Sequence, residues 1–146
     1  MGNFSKLSIF FAILFWGSIW GIIEATIGWV LHATQLHHGT SNILFAFGIF
    51  CMLSAAGRSG KGSMAVMLTA VVAAVIKLAD FLLPGVEGGV LHPAMYILIE
   101  GAMIVIICQA FSFRPRFKSN PTVALWESRL AVPAFAVAVA LTLIVG

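Results

Sequence analysis

Residues 21–32 read GIIEATIGWVLH and form the second half of an apolar run that extends from about residue 8 to residue 31. Apart from Glu24, Thr26 and His32, every residue of this stretch is apolar or glycine. A helix needs about 20 such residues to cross the hydrocarbon of a bilayer. A carboxylate in hydrocarbon is costly unless another group compensates its charge. The run therefore predicts a transmembrane helix, and Glu24 is its first candidate functional residue.

The composition of the whole chain favours an integral membrane protein. Hydrophobic residues make up 61% of the 146 residues and charged residues only 9%, with a mean hydropathy of +1.07. Soluble domains carry about 25% charged residues, so water is not the main solvent of this chain. The length allows one domain. Residues 1–146 are therefore predicted to form a single transmembrane helical domain.

Five apolar runs predict an all-α bundle of five transmembrane helices. After the first run, the others extend from about residue 41 to 56, 63 to 83, 92 to 111 and 130 to 145. The first run is too long for the core of a signal peptide and no A-x-A site follows it, so we expect it to remain as a span. Asn120 and Pro121 suit a helix start. They predict a short interfacial helix before the last span, or one long helix kinked at Pro133.

The basic residues between the runs predict the orientation. Seven of the eight fall on one side of the predicted membrane, namely Lys6, Arg58, Lys61, Arg114, Arg116, Lys118 and Arg129. Because cytoplasmic loops carry an excess of Lys and Arg, we expect a cytoplasmic N-terminus and an outside C-terminus, in a prokaryotic cytoplasmic membrane. No basic surface large enough for nucleic-acid phosphates remains. The bilayer is therefore an expected partner and nucleic acid is not.

Ionisable residues from three spans lie at similar predicted depth. A rise of about 1.5 Å per residue places Glu24, Lys77 and Glu100 roughly 9–12 Å below the outer ends of spans one, three and four. Lys77 can neutralise one carboxylate, and two carboxylates at close range repel each other unless a proton or a cation joins them. With Asp80 one turn from Lys77, these residues predict an intramembrane site for a small solute or cation.

A second polar layer is predicted above this Glu/Lys site. His32 ends the first span, His92 begins the fourth, and His37 and His38 lie in the predicted loop after the first span. Together with Asp80 they predict a His/Asp layer through which a solute reaches the Glu/Lys site from the outer face. Histidines also bind transition metals and haem iron. The four histidines are therefore candidate ligands for a divalent metal ion or a haem.

These residues leave three functions open. The first is a membrane transport or binding subunit that holds a small solute or cation at the Glu/Lys site, and Trp16, Trp20 and Trp29 could line a pocket for an organic ligand. The second is a metal- or haem-binding membrane protein with redox or enzymatic work. The third is a structural subunit of a larger membrane complex. Five spans are few for a complete carrier, so we expect a homo-oligomer or a partner membrane subunit.

Nucleophilic catalysis has little support in the sequence. Ser18, Ser54 and Thr69 lie in the predicted spans, but none of them has a histidine at a comparable depth to activate its hydroxyl. The sequence therefore favours a function other than catalysis.

Overall fold

The computed structural model describes residues 6–33, 37–59, 62–79 and 91–111, together with seven helical positions at 122, 125, 127, 129, 130, 133 and 136. The side chains of residues 28–33 and 37–41 lie outside the described part. The described chain forms four helices: α1 (Lys6–Ala33), α2 (His37–Ser59), α3 (Gly62–Leu78) and α4 (Leu91–Ala110). The all-α class that the sequence predicts is therefore confirmed for this part of the chain.

Three helical segments among the described residues are long and apolar enough to span a membrane, which supports membrane integration. They are Lys6–Ile27, Asn42–Ser59 and Leu91–Ala110, whereas α3 is a shorter apolar helix of 17 residues. The outward surface is also apolar: Met95, Tyr96, Ile99, Met103 and Ile106 of α4 are all exposed. Soluble monomers rarely expose apolar patches of this extent, so lipid is the expected surrounding of this face.

The five-span count and the orientation remain predictions. Of the predicted last span, only positions 130, 133 and 136 are described, and each of them is helical. The described positions of the predicted interfacial segment, at 122, 125, 127 and 129, are helical as well. The end of the predicted third span, after residue 79, lies outside the described residues.

Helix α2 extends further in both directions than the apolar run predicts. It begins at His37 and ends at Ser59, so a polar start and the basic Arg58 belong to the helix. The predicted bounds of this helix were those of the apolar run, whereas helical hydrogen bonding also continues through polar residues that are compatible with a helix. Arg58 lies in the last turn, where a positive charge is favourable to the helix dipole. Gly62, at the start of α3, has a φ of 46°, which glycine adopts without strain from a Cβ.

Helix α3 lies at the centre of the packing, because it packs against α1, α2 and α4. Helix α1 also packs along α2, and α2 meets α4 over a smaller area. Two glycines of α1 allow the close approach to α3: a Cβ at Gly17 would lie 2.7 Å from Cβ of Val72, and one at Gly21 would lie 2.7 Å from Cδ1 of Ile76. Small residues let helices pack closely in lipid, where packing drives their association.

Candidate functional site

Trp20 and Glu24 lie one turn apart on α1 and therefore on the same face of that helix. The Trp20 side chain is completely buried, and Glu24 is partly exposed. The indole N–H of Trp20 lies beside the Glu24 carboxylate. The two groups do not reach hydrogen-bond geometry, so Nε1 of Trp20 has no hydrogen-bond acceptor among the described residues. This part of α1 thus supplies an unpaired donor and a carboxylate to the interior.

The charges of α3 and α4 act on the same carboxylate. Lys77, in the last turn of α3, lies within range of electrostatic attraction to Glu24. Glu100, in the middle of α4, lies within range of electrostatic repulsion by Glu24. Glu100 is only 8% exposed, and its Oε1 accepts no hydrogen bond from the described part of the chain. Lys77 of α3 and Glu100 of α4 therefore both lie within electrostatic range of Glu24 of α1.

Helix α2 contributes a glycine to this region. A Cβ at Gly48 would lie 2.6 Å from Oε1 of Glu100 and 2.6 Å from Cζ2 of Trp20, which is closer than real Cβ contacts allow. The absence of a side chain at this position lets the carboxylate of α4 and the indole of α1 lie against α2. We call Trp20, Glu24, Gly48, Lys77 and Glu100 the four-helix polar site, because each helix supplies at least one of them.

The predicted site residues are described to different extents. Among the four Glu/Lys-site candidates, Lys77 and Glu100 each lie within electrostatic range of Glu24, and Asp80 lies outside the described residues. The backbones of three histidine candidates are helical but their side chains are outside the described part, namely those of His32, His37 and His38. His92 is exposed in the first turn of α4. Among the described residues, no three His, Cys, Asp or Glu side chains are grouped to hold a metal ion, so metal or haem binding by the histidines stays a prediction.

A second polar cluster joins the C-terminal part of the chain to α1 and α2. Glu127 is 4% exposed, and its Oε1 accepts a hydrogen bond of 3.0 Å from Nε1 of Trp16. The same oxygen lies 2.9 Å from Nε of Arg58 in an ion pair whose angle does not make a hydrogen bond. Cζ of Arg58 lies 5.5 Å from the centroid of the Trp16 ring, within cation–π range. We call Trp16, Arg58 and Glu127 the carboxy-terminal anchor.

Sequence reasoning missed Gly48 and the carboxy-terminal anchor. The chain gives no local signal for the anchor, because Trp16 and Glu127 are separated by 111 residues. From the sequence, Arg58 is predicted only as one of the basic residues of a cytoplasmic loop. The one available signal is that Glu127 is an acidic residue among the basic residues of the predicted cytoplasmic side.

Two hydroxyl groups buried inside the helices bond to the backbone of their own helix. Oγ of Ser18 donates to the carbonyl of Leu14 at 2.6 Å, and Oγ1 of Thr69 donates to the carbonyl of Ala65 at 2.8 Å. Bonds of this kind, to the carbonyl one turn earlier, satisfy a hydroxyl inside a helix. These two side chains therefore have a structural explanation and need no ligand.

No protein-family model, curated protein or solved structure matches this chain. The four-helix polar site is therefore interpreted from its own chemistry. Two carboxyl groups, an ammonium group and an indole N–H can attract, orient and desolvate a polar solute or a cation.

Proposed function

We propose that this protein is a membrane transport or binding subunit that holds a small solute or cation at the four-helix polar site. The proposal depends mainly on the convergence of Glu24, Lys77 and Glu100. One ammonium group cannot neutralise two carboxylates, and a buried carboxylate without compensation is costly. An occupant that supplies positive charge or hydrogen-bond donors removes that cost, so the site favours binding.

The exposure of the charged side chains suggests the direction of entry. Glu24 and Lys77 are partly exposed, whereas Glu100 is almost completely buried. A solute would meet the Glu24 and Lys77 side of the site first and would reach Glu100 last. We place this entry on the outer face, below the predicted His/Asp layer of His32, His37, His38, His92 and Asp80. Transport would require the helices to move apart, and a homo-oligomer or a partner membrane subunit would complete the carrier.

A pooled-solute retention screen tests the proposal. The purified protein is reconstituted into vesicles and incubated with a mixture of small polar metabolites and metal salts. The retained compounds are identified by mass spectrometry, for wild type and for Glu24→Gln and Glu100→Gln. Glu127→Gln is the matched control, because it makes the same change at a buried carboxylate in the other cluster.

We expect wild type and the control, Glu127→Gln, to retain the same compound. Glu24→Gln and Glu100→Gln should each retain at least about tenfold less of it, which corresponds to roughly 1.4 kcal/mol of binding free energy. Size-exclusion chromatography and circular dichroism check that all four proteins are folded. Equal retention by all four proteins would contradict the proposal. So would the failure of wild type to retain any compound above protein-free vesicles.

A further inference from the structure

Three buried side-chain nitrogen or oxygen atoms of the described residues make no hydrogen bond: Nε1 of Trp20, Nε of Arg58 and Oε1 of Glu100. The atom of Arg58 is compensated by its ion pair with Glu127. The other two atoms belong to the four-helix polar site. Most buried polar groups in proteins have a partner, and leaving one unpaired costs about 1–3 kcal/mol. The Trp20 N–H lies beside the Glu24 carboxylate without reaching hydrogen-bond geometry, so both unpaired atoms mark a place where a further hydrogen-bonding group would lower the free energy.

The two atoms have opposite hydrogen-bonding character, and their side chains lie against the same glycine. An indole N–H can only donate, and a carboxylate oxygen accepts. Both side chains lie against Gly48, since a Cβ there would come within 2.6 Å of Glu100 Oε1 and of Trp20 Cζ2. They nevertheless form no hydrogen bond with each other. The site thus presents a donor and an acceptor whose side chains both lie against Gly48, and neither atom makes a hydrogen bond with the described residues.

Simple ions complement only half of this pair. A metal cation would bind the Glu100 carboxylate, but it would leave the Trp20 N–H unpaired and would be repelled by Lys77. A simple anion would accept from Trp20, but it would be repelled by Glu24 and Glu100. A group that has an acceptor next to a donor satisfies both atoms at once.

We infer that the ligand of the four-helix polar site is a small organic molecule with a hydrogen-bond acceptor adjacent to an N–H or O–H donor, as in an amide or lactam. This inference rests on the proposed function and names the ligand class of the same site. The acceptor of the ligand faces Nε1 of Trp20, and its donor faces Oε1 of Glu100. Glu24 and Lys77 form the more exposed, charged side of the site.

Two lactams that differ in one hydrogen-bond donor test this class. γ-Butyrolactam has an N–H next to its carbonyl, whereas N-methyl-γ-butyrolactam keeps the carbonyl and lacks the donor. Binding of each is measured by saturation-transfer NMR on the full-length protein in detergent micelles. A site built around a hydrogen bond discriminates strongly against a ligand that cannot make it. We expect saturable binding of γ-butyrolactam and at least about tenfold weaker binding of the methylated compound, or roughly 1.4 kcal/mol.

Two tryptophan variants locate the binding. Trp20→Phe removes the donor of the site, and we expect it to weaken γ-butyrolactam binding at least about tenfold. Trp16→Phe is the matched control, because it removes an indole N–H from the carboxy-terminal anchor, and we expect it to bind as wild type does. If Trp20→Phe does not fold, the comparison of the two lactams on wild type still tests the ligand class.

The inference is overturned if wild type shows no saturable binding of γ-butyrolactam, if it binds both lactams equally, or if folded Trp20→Phe binds γ-butyrolactam as wild type does. Titration with magnesium chloride distinguishes a wrong ligand class from a wrong proposed function. Saturable magnesium binding that is lost in Glu100→Gln and kept in Trp20→Phe would leave the proposed function standing and the ligand class wrong. Failure of the retention screen would instead overturn the proposed function.

Discussion

Oε1 of Glu100 on α4 would lie only 2.6 Å from a Cβ at position 48 of α2, so this carboxylate is placed where only glycine at 48 permits it. The same glycine accommodates the edge of the Trp20 ring. The geometry of the four-helix polar site therefore depends on the absence of one side chain. A methyl group at position 48 would displace both polar side chains without changing any charge.

Gly48→Ala is expected to weaken lactam binding and to lower the free energy of unfolding by about 1–3 kcal/mol, the usual cost of overpacking a buried site. The measurements are denaturant unfolding in detergent micelles and saturation-transfer NMR with γ-butyrolactam. Gly17→Ala is the matched control, because its Cβ would meet Val72 at 2.7 Å, away from the charged groups. It should be destabilised to a similar extent and still bind. Wild-type stability and binding in Gly48→Ala would contradict this account of the glycine.

Glu24 and Lys77 should be energetically coupled, because they attract each other and both side chains are partly shielded from water. Lys77→Met and Glu24→Gln each remove one charge, and the double variant removes both. We expect the double variant to be more stable than the sum of the single changes predicts, by about 0.5–3 kcal/mol. The free energies of unfolding of the four proteins give this coupling.

Lys6→Met combined with Glu24→Gln is the control for that cycle, because Lys6 is exposed at the start of α1. The effects of these two changes should add. Additive effects of the Lys77 and Glu24 changes as well would show that the two residues do not interact.

Glu127→Ala should loosen the C-terminal part of the chain, since it leaves the N–H of Trp16 without its acceptor and Arg58 without its counter-charge. We expect a loss of about 1–3 kcal/mol in unfolding free energy and a shift in tryptophan emission. Glu127→Gln keeps an acceptor and should lose less. Arg129→Gln, at an exposed position, should change stability by no more than about 0.5 kcal/mol. Equal effects of Glu127→Ala and Arg129→Gln would argue against the anchor.

Reporter fusions test the predicted five-span topology. A reporter at the N-terminus and one inserted after Ser59 should be cytoplasmic, because most basic residues fall on that side. A reporter at the C-terminus should be outside. Both termini on the same side would require an even number of spans, and the five-helix prediction would then be wrong.

Much of the fold could be predicted by counting along the sequence. The apolar runs located α1, α2 and α4 to within a few residues, because the length of a spanning helix is set by the thickness of the hydrocarbon. The constant rise per residue of a helix also grouped Glu24, Lys77 and Glu100 at one depth. The structure places Lys77 and Glu100 within electrostatic range of Glu24, although binding at that place remains a prediction.

Other features required the packing of the helices. The side of α2 that carries Gly48 depends on the rotation of α2 about its axis, and a helix that is apolar on all sides gives no periodic signal for that rotation. The approach of Glu127 to Trp16 depends on the path of the chain over 111 intervening residues. The ends of α2 differ from the predicted ones because hydropathy indicates which residues suit the hydrocarbon of the membrane. It does not indicate where helical hydrogen bonding begins and ends.

Cross-linking with an apolar carbodiimide tests the convergence of the charged side chains most directly. The reagent activates a carboxyl group in the membrane interior, and a nearby amine displaces the urea to form an amide. Mass spectrometry of the digested protein should identify an amide between Glu24 and Lys77, absent in Lys77→Arg, with no link between Glu24 and Lys6. Labelling of Glu24 by the reagent without any link to Lys77 would contradict the existence of the four-helix polar site.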